Sequence, residues 1–194
     1  MPLLRASRTG TALAVMLSAG LAGCGFQLRG APPVSSALEP LAVECTQDVP
    51  EILCESVRDQ LELGEVALSA ANDAAYVMTL SRFQADRRAS AITVDAAAAE
   101  YTLRHSIALE LVSADKVPMI ANTRLTSTES YRYDDTNVLA KQREEEELRT
   151  QLSDRLAQQI IFRLAPLTEA RLDALREEYE AARTNDSSGD ESTQ

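Results

Sequence analysis

Four stretches of the chain alternate between apolar and polar side chains, which is the pattern of β-strands that bury one face. They are Leu38–Cys45, Tyr76–Arg88, Tyr101–Val112 and Val117–Tyr133. In the third stretch His105 falls on the apolar side, where we expect a half-buried structural histidine rather than a ligand. The fourth is expected to bury one face, formed by Val117, Met119, Ala121, Leu125, Tyr131 and Tyr133.

Three other stretches carry apolar side chains three or four residues apart, which predicts helices. They are Pro50–Leu63, Asn137–Leu164 and the more polar Thr168–Arg183. Asp48 is expected to cap the first helix. The acidic run Glu144–Glu147 is expected to face solvent on the second. Pro166 separates the second helix from the third.

The order of these elements, β-α-β-β-β-α, predicts an α+β fold. The economical arrangement is a two-layer sandwich, in which a four-stranded mixed sheet carries two helices packed on one face. The other sheet face is then polar and either meets water or meets a polar wall of a partner. Its side chains are Thr102, Arg104, Ser106, Glu110, Asn122, Arg124, Thr126 and Thr128.

The predicted organisation has a folded domain over residues 38–167 and a helical extension over residues 168–183. Residues 184–194 (TNDSSGDESTQ) lack apolar side chains and are expected to form a disordered acidic tail. The order of elements shows no internal repeat.

Residues 1–23 are predicted to be a signal peptide, because two arginines precede the apolar run Thr11–Leu21, which is too short to span a bilayer. The run ends in LAGC, which resembles a bacterial lipobox. In that pattern the chain is cut before Cys24 and the cysteine is acylated, so residues 24–37 become a lipidated tether. The residue after the cysteine is Gly25 rather than Asp, which favours the outer membrane. A plain signal peptide with a chance cysteine is the alternative.

The chain of 194 residues carries 19 Lys and Arg against 30 Asp and Glu, a formal charge of −11. Removing the signal peptide with its two arginines makes the charge −13. Such a chain repels a phosphate backbone, so we do not expect it to bind nucleic acid. With one His and three Cys, neither a structural zinc site nor a histidine-based catalytic site has enough ligands, and no metal or cofactor is expected.

No catalytic motif is present: the chain has no glycine-rich phosphate loop and no G-x-S-x-G turn. Ser106 follows His105, but neighbours on a strand point to opposite faces, so they cannot form a nucleophile and base pair. The sequence therefore predicts a protein that is not an enzyme.

Cys45 and Cys54 lie nine residues apart, at the end of the first strand and in the following helix. In an oxidising compartment this spacing allows a disulfide. Two buried thiols are the alternative, because sequence does not give the distance between the Cα atoms.

Basic side chains collect in the second half of the domain although the chain is acidic. They are Arg82, Arg87, Arg88, Arg104, Arg124, Arg132, Lys141 and Arg143. Such a group is a candidate site for an anionic ligand. Ordinary ion pairs with neighbouring acids are the alternative.

Several motifs together resemble the lipopolysaccharide-assembly lipoprotein family, LptE. They are GCGFQLRG at residues 23–30, EYTL at 100–103, YRYD at 131–134, NVLAK at 137–141 and QIIFRL at 159–164. Their spacing follows that of the family and covers most of residues 24–167. The cysteine pair Cys45 and Cys54 and the chain after Thr168 are not part of the family pattern.

The resemblance implies a two-layer α/β lipoprotein, without enzymatic activity, on the periplasmic face of the outer membrane. It implies that the protein plugs and helps assemble the LptD β-barrel, binds lipopolysaccharide and assists its delivery to the outer leaflet. Lys141 matches a family position for lipopolysaccharide contact. The second basic position of the family falls in the loop 95–99, which is DAAAA here, and Arg87, Arg88 and Arg104 are the nearest bases.

Two other functions stay open on the sequence alone. The first is an accessory lipoprotein of another envelope machine, such as a lipid-transport ABC system or a secretin pilot. The second is an enzyme that acts on envelope polymers, which the lack of a catalytic motif disfavours.

Overall fold

The computed structural model of the chain describes residues 34–92, 98–133 and 135–190. Its strands and helices are β1 (Leu41–Cys45), α1 (Glu51–Leu63), β2 (Tyr76–Ile92), β3 (Ala98–Ser113), β4 (Pro118–Arg132), α2 (Val138–Leu164) and α3 (Glu169–Asp190). The predicted signal peptide, the lipidation residue Cys24 and most of the tether lie outside the described residues, as do residues 93–97 and 191–194.

The four strands form one sheet in the order β1-β2-β3-β4. β1 is parallel to β2, and the other two pairs are antiparallel. A parallel pair needs a crossover connection, and α1 supplies it. The predicted α+β fold with a four-stranded mixed sheet is therefore confirmed.

The core lies between the sheet and the two helices α1 and α2. On the helices it is formed by Leu53, Val57 and Leu61 and by Leu156, Ile160 and Leu164, all at helical spacing and all buried. The sheet contributes alternate residues such as Met78, Leu80, Ile107 and Leu109. Truncating one of these leucines to alanine costs about 2–5 kcal/mol, because the cavity does not fully collapse.

The third helix, α3, runs to Asp190 and is longer than predicted. Residues 184–190 are helical, where the sequence predicts a disordered tail. Leu172 is buried in the core, and Tyr179 packs against it. Arg176 also donates a hydrogen bond to the hydroxyl of Tyr76. Helix α3 is therefore docked on the domain through its first half.

The strand pairs contain several register shifts, and two of them change which side chains face the core. In β2, Arg82 and Phe83 both lie opposite Ile107, so the strand contains a bulge. In β4, Thr123 pairs with Leu109 but Ile120 pairs with Leu111, and an extra residue lies between them. This is why Ala121, which was predicted to be buried, is exposed.

Candidate functional site

Three tyrosines meet at the end of the domain where β2 ends, β3 begins and α2 begins. Tyr101 lies opposite Tyr131 in the sheet, and their rings are stacked with centroids 5.9 Å apart. Tyr133 packs edge-on against Tyr101 at 5.5 Å. Together with Leu103 and Leu152 they form a small core separate from the main one. Cross-strand aromatic pairs stabilise a sheet by about 0.2–1 kcal/mol each.

Arg87 lies on this aromatic surface. Its guanidinium carbon is 3.7 Å from the ring centroid of Tyr101, and its Nε is 3.4 Å from Oε2 of Glu145. The side chain remains 39% exposed. Arg87 is therefore held by a cation–π contact and an ion pair while part of its charge faces solvent.

Glu145 lies on α2 and is buried, although the sequence analysis placed it on a solvated face. Its carboxylate accepts hydrogen bonds from the Tyr131 hydroxyl and from Arg149, and it pairs with Arg87. A buried carboxylate needs such partners. Burial, followed by the hydrogen bond and charge of Glu145, raises the pKa of Tyr131 to about 12. The prediction that Glu145 faces solvent was wrong, because Glu145 continues the apolar stripe of Leu148 and Leu152 at helical spacing.

Lys141 lies one helical turn before Glu145, and residues four apart share a helix face. Its Nζ is 2.7 Å from Oε2 of Glu144, and its side chain is 22% exposed. Two of the predicted ligand residues, Arg87 and Lys141, therefore lie at the same end of the domain on the helix side of the sheet. We call Arg87, Tyr101, Tyr131, Tyr133, Lys141, Glu145 and Arg149 the aromatic–basic cluster.

The other two predicted ligand residues do not join the cluster. Arg88 pairs with Thr102, and Arg104 lies opposite Asp86 and Thr128, both on the polar face of the sheet. Because side chains alternate along a strand, the neighbours Arg87 and Arg88 point to opposite faces. The structure therefore divides the four predicted residues into two pairs, one on each side of the sheet.

The polar face of the sheet carries its own hydrogen bonds between strands. Arg124 Nη1 donates to Gln84 Oε1 at 2.8 Å and to Ser106 Oγ at 3.0 Å. The hydroxyls of Thr102 and Ser130 are 2.8 Å apart. This face is polar and ordered, and several of its side chains are exposed, including Arg88, Arg104 and Thr128.

Cys45 and Cys54 are joined by a disulfide, with their Cα atoms 6.4 Å apart. The bond ties the end of β1 to the first turns of α1 and closes the loop that contains Asp48.

Asp48 does not cap α1, because Pro50 occupies the position before the helix. Its Oδ2 instead accepts a hydrogen bond from the backbone N–H of Phe83, at 2.7 Å.

His105 is buried on the core side of β3, as its place in the alternation predicted. Its ring packs edge-on against Phe83, with centroids 5.2 Å apart, and its Nδ1 has no hydrogen-bond partner. Burial, and to a lesser extent the charge of Arg149, lowers the pKa of His105.

Among the described residues, His, Cys, Asp and Glu side chains nowhere gather in a group of three able to hold a metal ion.

The family model for lipopolysaccharide assembly, LptE, matches residues 38–164. The chain belongs to the LptE family. The matched region runs from Leu38, just before β1, to the end of α2, so the LptE domain includes the whole aromatic–basic cluster, whereas α3 lies beyond it. The resemblance stated from the sequence motifs is confirmed.

Solved structures of lipoproteins are similar to this LptE domain. A minor lipoprotein from Acinetobacter baumannii is 25% identical, covers 65% of this chain and 90% of its own, and has a TM-score of 0.55. Rare lipoprotein B from Shewanella oneidensis is 22% identical, with coverages of 75% and 96% and a TM-score of 0.52. Lipoprotein B from Nitrosomonas europaea is 19% identical, with coverages of 73% and 91% and a TM-score of 0.57. The last two show the shared fold.

No curated protein sequence matches the chain at a significant level. In the part of the chain that the structure describes, none of the helices has the length and apolar character needed to cross a bilayer.

Proposed function

We propose that this LptE family member is an outer-membrane lipoprotein that plugs and helps assemble the LptD β-barrel translocon and assists delivery of lipopolysaccharide to the outer leaflet. The observation that carries the proposal is the family match over residues 38–164, which spans the sheet, α1 and α2. In this proposal the protein acts by binding and by shape, without catalysis.

The lipobox ending at Cys24 supports the location. Acylation of this cysteine places several fatty chains on one residue, and each buried CH₂ contributes about 0.8 kcal/mol, so the anchor is stable. Gly25 after the cysteine favours the periplasmic face of the outer membrane. The tether then holds the domain close to a barrel in the same membrane.

The polar face of the sheet supports the partner. The interior of a barrel that serves as a channel is polar, so a docked domain must offer hydrogen-bonding side chains rather than an apolar surface. The strand residues Thr102, Thr128 and Ser130 and the arginines Arg88 and Arg104 provide such side chains. This face is the part of the domain that we assign to the barrel wall.

The aromatic–basic cluster supports the ligand. Arg87 and Lys141 provide two partly exposed cations, which suit the phosphates of lipid A. Two exposed apolar side chains lie on the same ends of β2 and α2, Ile92 and Leu139. Cations beside apolar surface match a phosphorylated, acylated sugar.

A photo-cross-linking residue tests the assignment of surfaces. We place it at Thr128 on the polar face and, as the matched control, at the exposed Gln158 on α2. We expect Thr128 to cross-link to a large β-barrel protein in intact outer membranes more strongly than Gln158. Cross-links from both positions to inner-membrane transport proteins alone contradict the proposal and favour an accessory role in another envelope machine.

A further inference from the structure

The bulge in β2 decides which arginine reaches the aromatic–basic cluster. Ser81 pairs with Ala108 and Gln84 with Ser106, so Arg82 and Phe83 share one partner position. Before the bulge, even-numbered residues of β2 such as Leu80 face the core. After it, odd-numbered residues do. Without the extra residue, the alternation would exchange the faces of every later residue in the strand.

The exchange of faces matters because two adjacent arginines, Arg87 and Arg88, lie in the part of β2 after the bulge. Arg87 contacts Tyr101 and Glu145 on the helix side, whereas Arg88 lies on the polar face. In a strand without the bulge, Arg88 would face α2 and Arg87 would face away. The bulge at Arg82, five residues before Arg87, therefore determines that Arg87 and not Arg88 faces the cluster.

The bulge is strained and is held from outside the strand. Arg82 has a φ of 52°, in the left-handed region that is strained for any residue other than glycine. Opposing this strain, the carboxylate of Asp48 accepts the N–H of Phe83 at 2.7 Å. The Arg82 guanidinium also donates a hydrogen bond to the Asn122 side chain across the sheet.

Asp48 is itself fixed in place by its loop. The Thr46 hydroxyl donates a hydrogen bond to its Oδ1, and the Thr46 N–H donates to the carbonyl of Leu80 at 3.0 Å. The disulfide between Cys45 and Cys54 closes the same loop. The hydrogen bond from the Thr46 hydroxyl, followed by that from the Phe83 N–H, lowers the pKa of Asp48, so its carboxylate stays ionised and accepts hydrogen bonds.

We propose that Asp48 is a positioning residue of the aromatic–basic cluster: by holding the bulge at Phe83 it aims Arg87, and not Arg88, at the ligand site. The part that concerns ligand binding rests on the proposed function. The part that concerns the orientation of Arg87 does not.

The test compares Asp48→Ala with Asp48→Asn in the mature, acylated protein in detergent micelles. Asparagine keeps a side-chain oxygen that accepts the Phe83 N–H, so it should rescue the alanine variant. Asp59→Ala removes an exposed carboxylate of α1 and serves as the control. Because the guanidinium of Arg87 lies over the Tyr101 ring, the δ protons of Arg87 are expected to show a ring-current shift in the NMR spectrum.

We expect the ring-current shift of Arg87 in the wild type, Asp48→Asn and Asp59→Ala, and its loss in Asp48→Ala. We also expect Asp48→Ala to weaken binding of lipid A on the order of tenfold, as Arg87→Ala does, because one charge-assisted contact is lost. Lipid A without its phosphates tests whether the loss of affinity depends on charge. The wild type, Asp48→Ala and Arg87→Ala should bind it with equal affinity. A folded Asp48→Ala that keeps the shift overturns the proposal.

If Asp48→Ala does not fold, Asp48→Ala with Arg82→Gly is measured in the same way, because glycine relieves the strain of the bulge. A double variant that folds and shows the shift supports the proposal, because glycine then maintains the bulge without Asp48. A double variant that folds without the shift contradicts it. A double variant that also fails to fold contradicts it, because Asp48 would then hold the whole domain rather than aim one side chain. If Arg87→Ala binds lipid A like the wild type, the ligand assignment fails, while the shift still decides the positioning role.

Discussion

The hydroxyl of Tyr131 donates a hydrogen bond to the carboxylate of Glu145, and this bond joins the last strand of the sheet to the long helix α2. Arg87 from β2 and Arg149 from α2 complete the surroundings of the same carboxylate. The side chains of β2, β4 and α2 thus meet at one buried carboxylate. This arrangement keeps Arg87 and Lys141 at the same end of the domain.

Replacing Tyr131 with Phe removes the hydroxyl and leaves one carboxylate oxygen without this donor. We expect the free energy of unfolding to fall by about 1.5–3 kcal/mol, since the bond involves a charged acceptor. Urea unfolding followed by circular dichroism measures this change. Tyr133→Phe removes a hydroxyl from the same group of aromatic rings but spares Glu145. If both variants lose the same stability, the Tyr131–Glu145 bond is not the cause.

His105 should make the domain less stable in mild acid. Burial holds its folded-state pKa below the ordinary value of 6.5, so the unfolded chain binds the proton more readily. The stability that depends on neutral His105 is complete above pH 6.5 and is lost as the pH falls below that value, by at most about 1.4 kcal/mol per pH unit. Urea unfolding at pH 7.5 and pH 5.5 measures the loss.

The matched variant for this experiment is His105→Leu, which cannot titrate and removes the unpaired Nδ1. We expect its stability to change less than that of the wild type between the two pH values. Equal pH dependence in both proteins would show that other groups are responsible.

The disulfide between Cys45 and Cys54 should stabilise the domain. Closing a loop of this length is worth about 2.5 kcal/mol through the entropy of the unfolded chain. We expect a reducing agent to lower the urea midpoint of the wild type. The double variant Cys45→Ala/Cys54→Ala should not respond to the reducing agent. An unchanged midpoint for the reduced wild type would contradict the prediction.

Arg82 occupies a backbone conformation that glycine adopts more readily. We expect Arg82→Gly to raise the free energy of unfolding by about 1 kcal/mol, because relief of the positive φ outweighs the loss of the exposed bond to Asn122. Thermal unfolding measures the difference. Arg88→Gly, on the same strand after the bulge, is the control and should destabilise. Destabilisation by Arg82→Gly would show that the Asn122 contact matters more than the strain.

Lys141→Asp should weaken lipopolysaccharide binding about tenfold or more at constant salt, because a cation near the phosphates becomes an anion. Lys116→Asp makes the same charge change in the turn before β4, away from the aromatic–basic cluster, and should leave binding unchanged. Circular dichroism checks that both variants fold. Equal affinities for the two variants would remove Lys141 from the site.

Much of the fold follows from local pattern. The strand alternation around Leu109 and the helical stripe through Leu156 predicted the elements within a few residues, because burial of one face imposes a period on the sequence. The bulges could not be predicted, because whether Arg82 adopts a positive φ depends on Asp48, a residue 34 positions earlier.

The candidate site was predicted less completely than the fold. The basic residues were visible, but the division of Arg87 from Arg88 depends on the bulge. Glu145 was assigned to solvent because it lies in a run of acids, although its spacing to Leu152 places it on the buried stripe. Contacts between side chains on separate elements, such as Tyr131 with Glu145, have no signature in the sequence.

The most direct test of the account is affinity capture of the processed protein from solubilised outer membranes. We predict an acylated chain that begins at Cys24 and that co-purifies with a large β-barrel protein. A processed chain that is unacylated and free in the periplasm, with no β-barrel bound to it, would contradict the account.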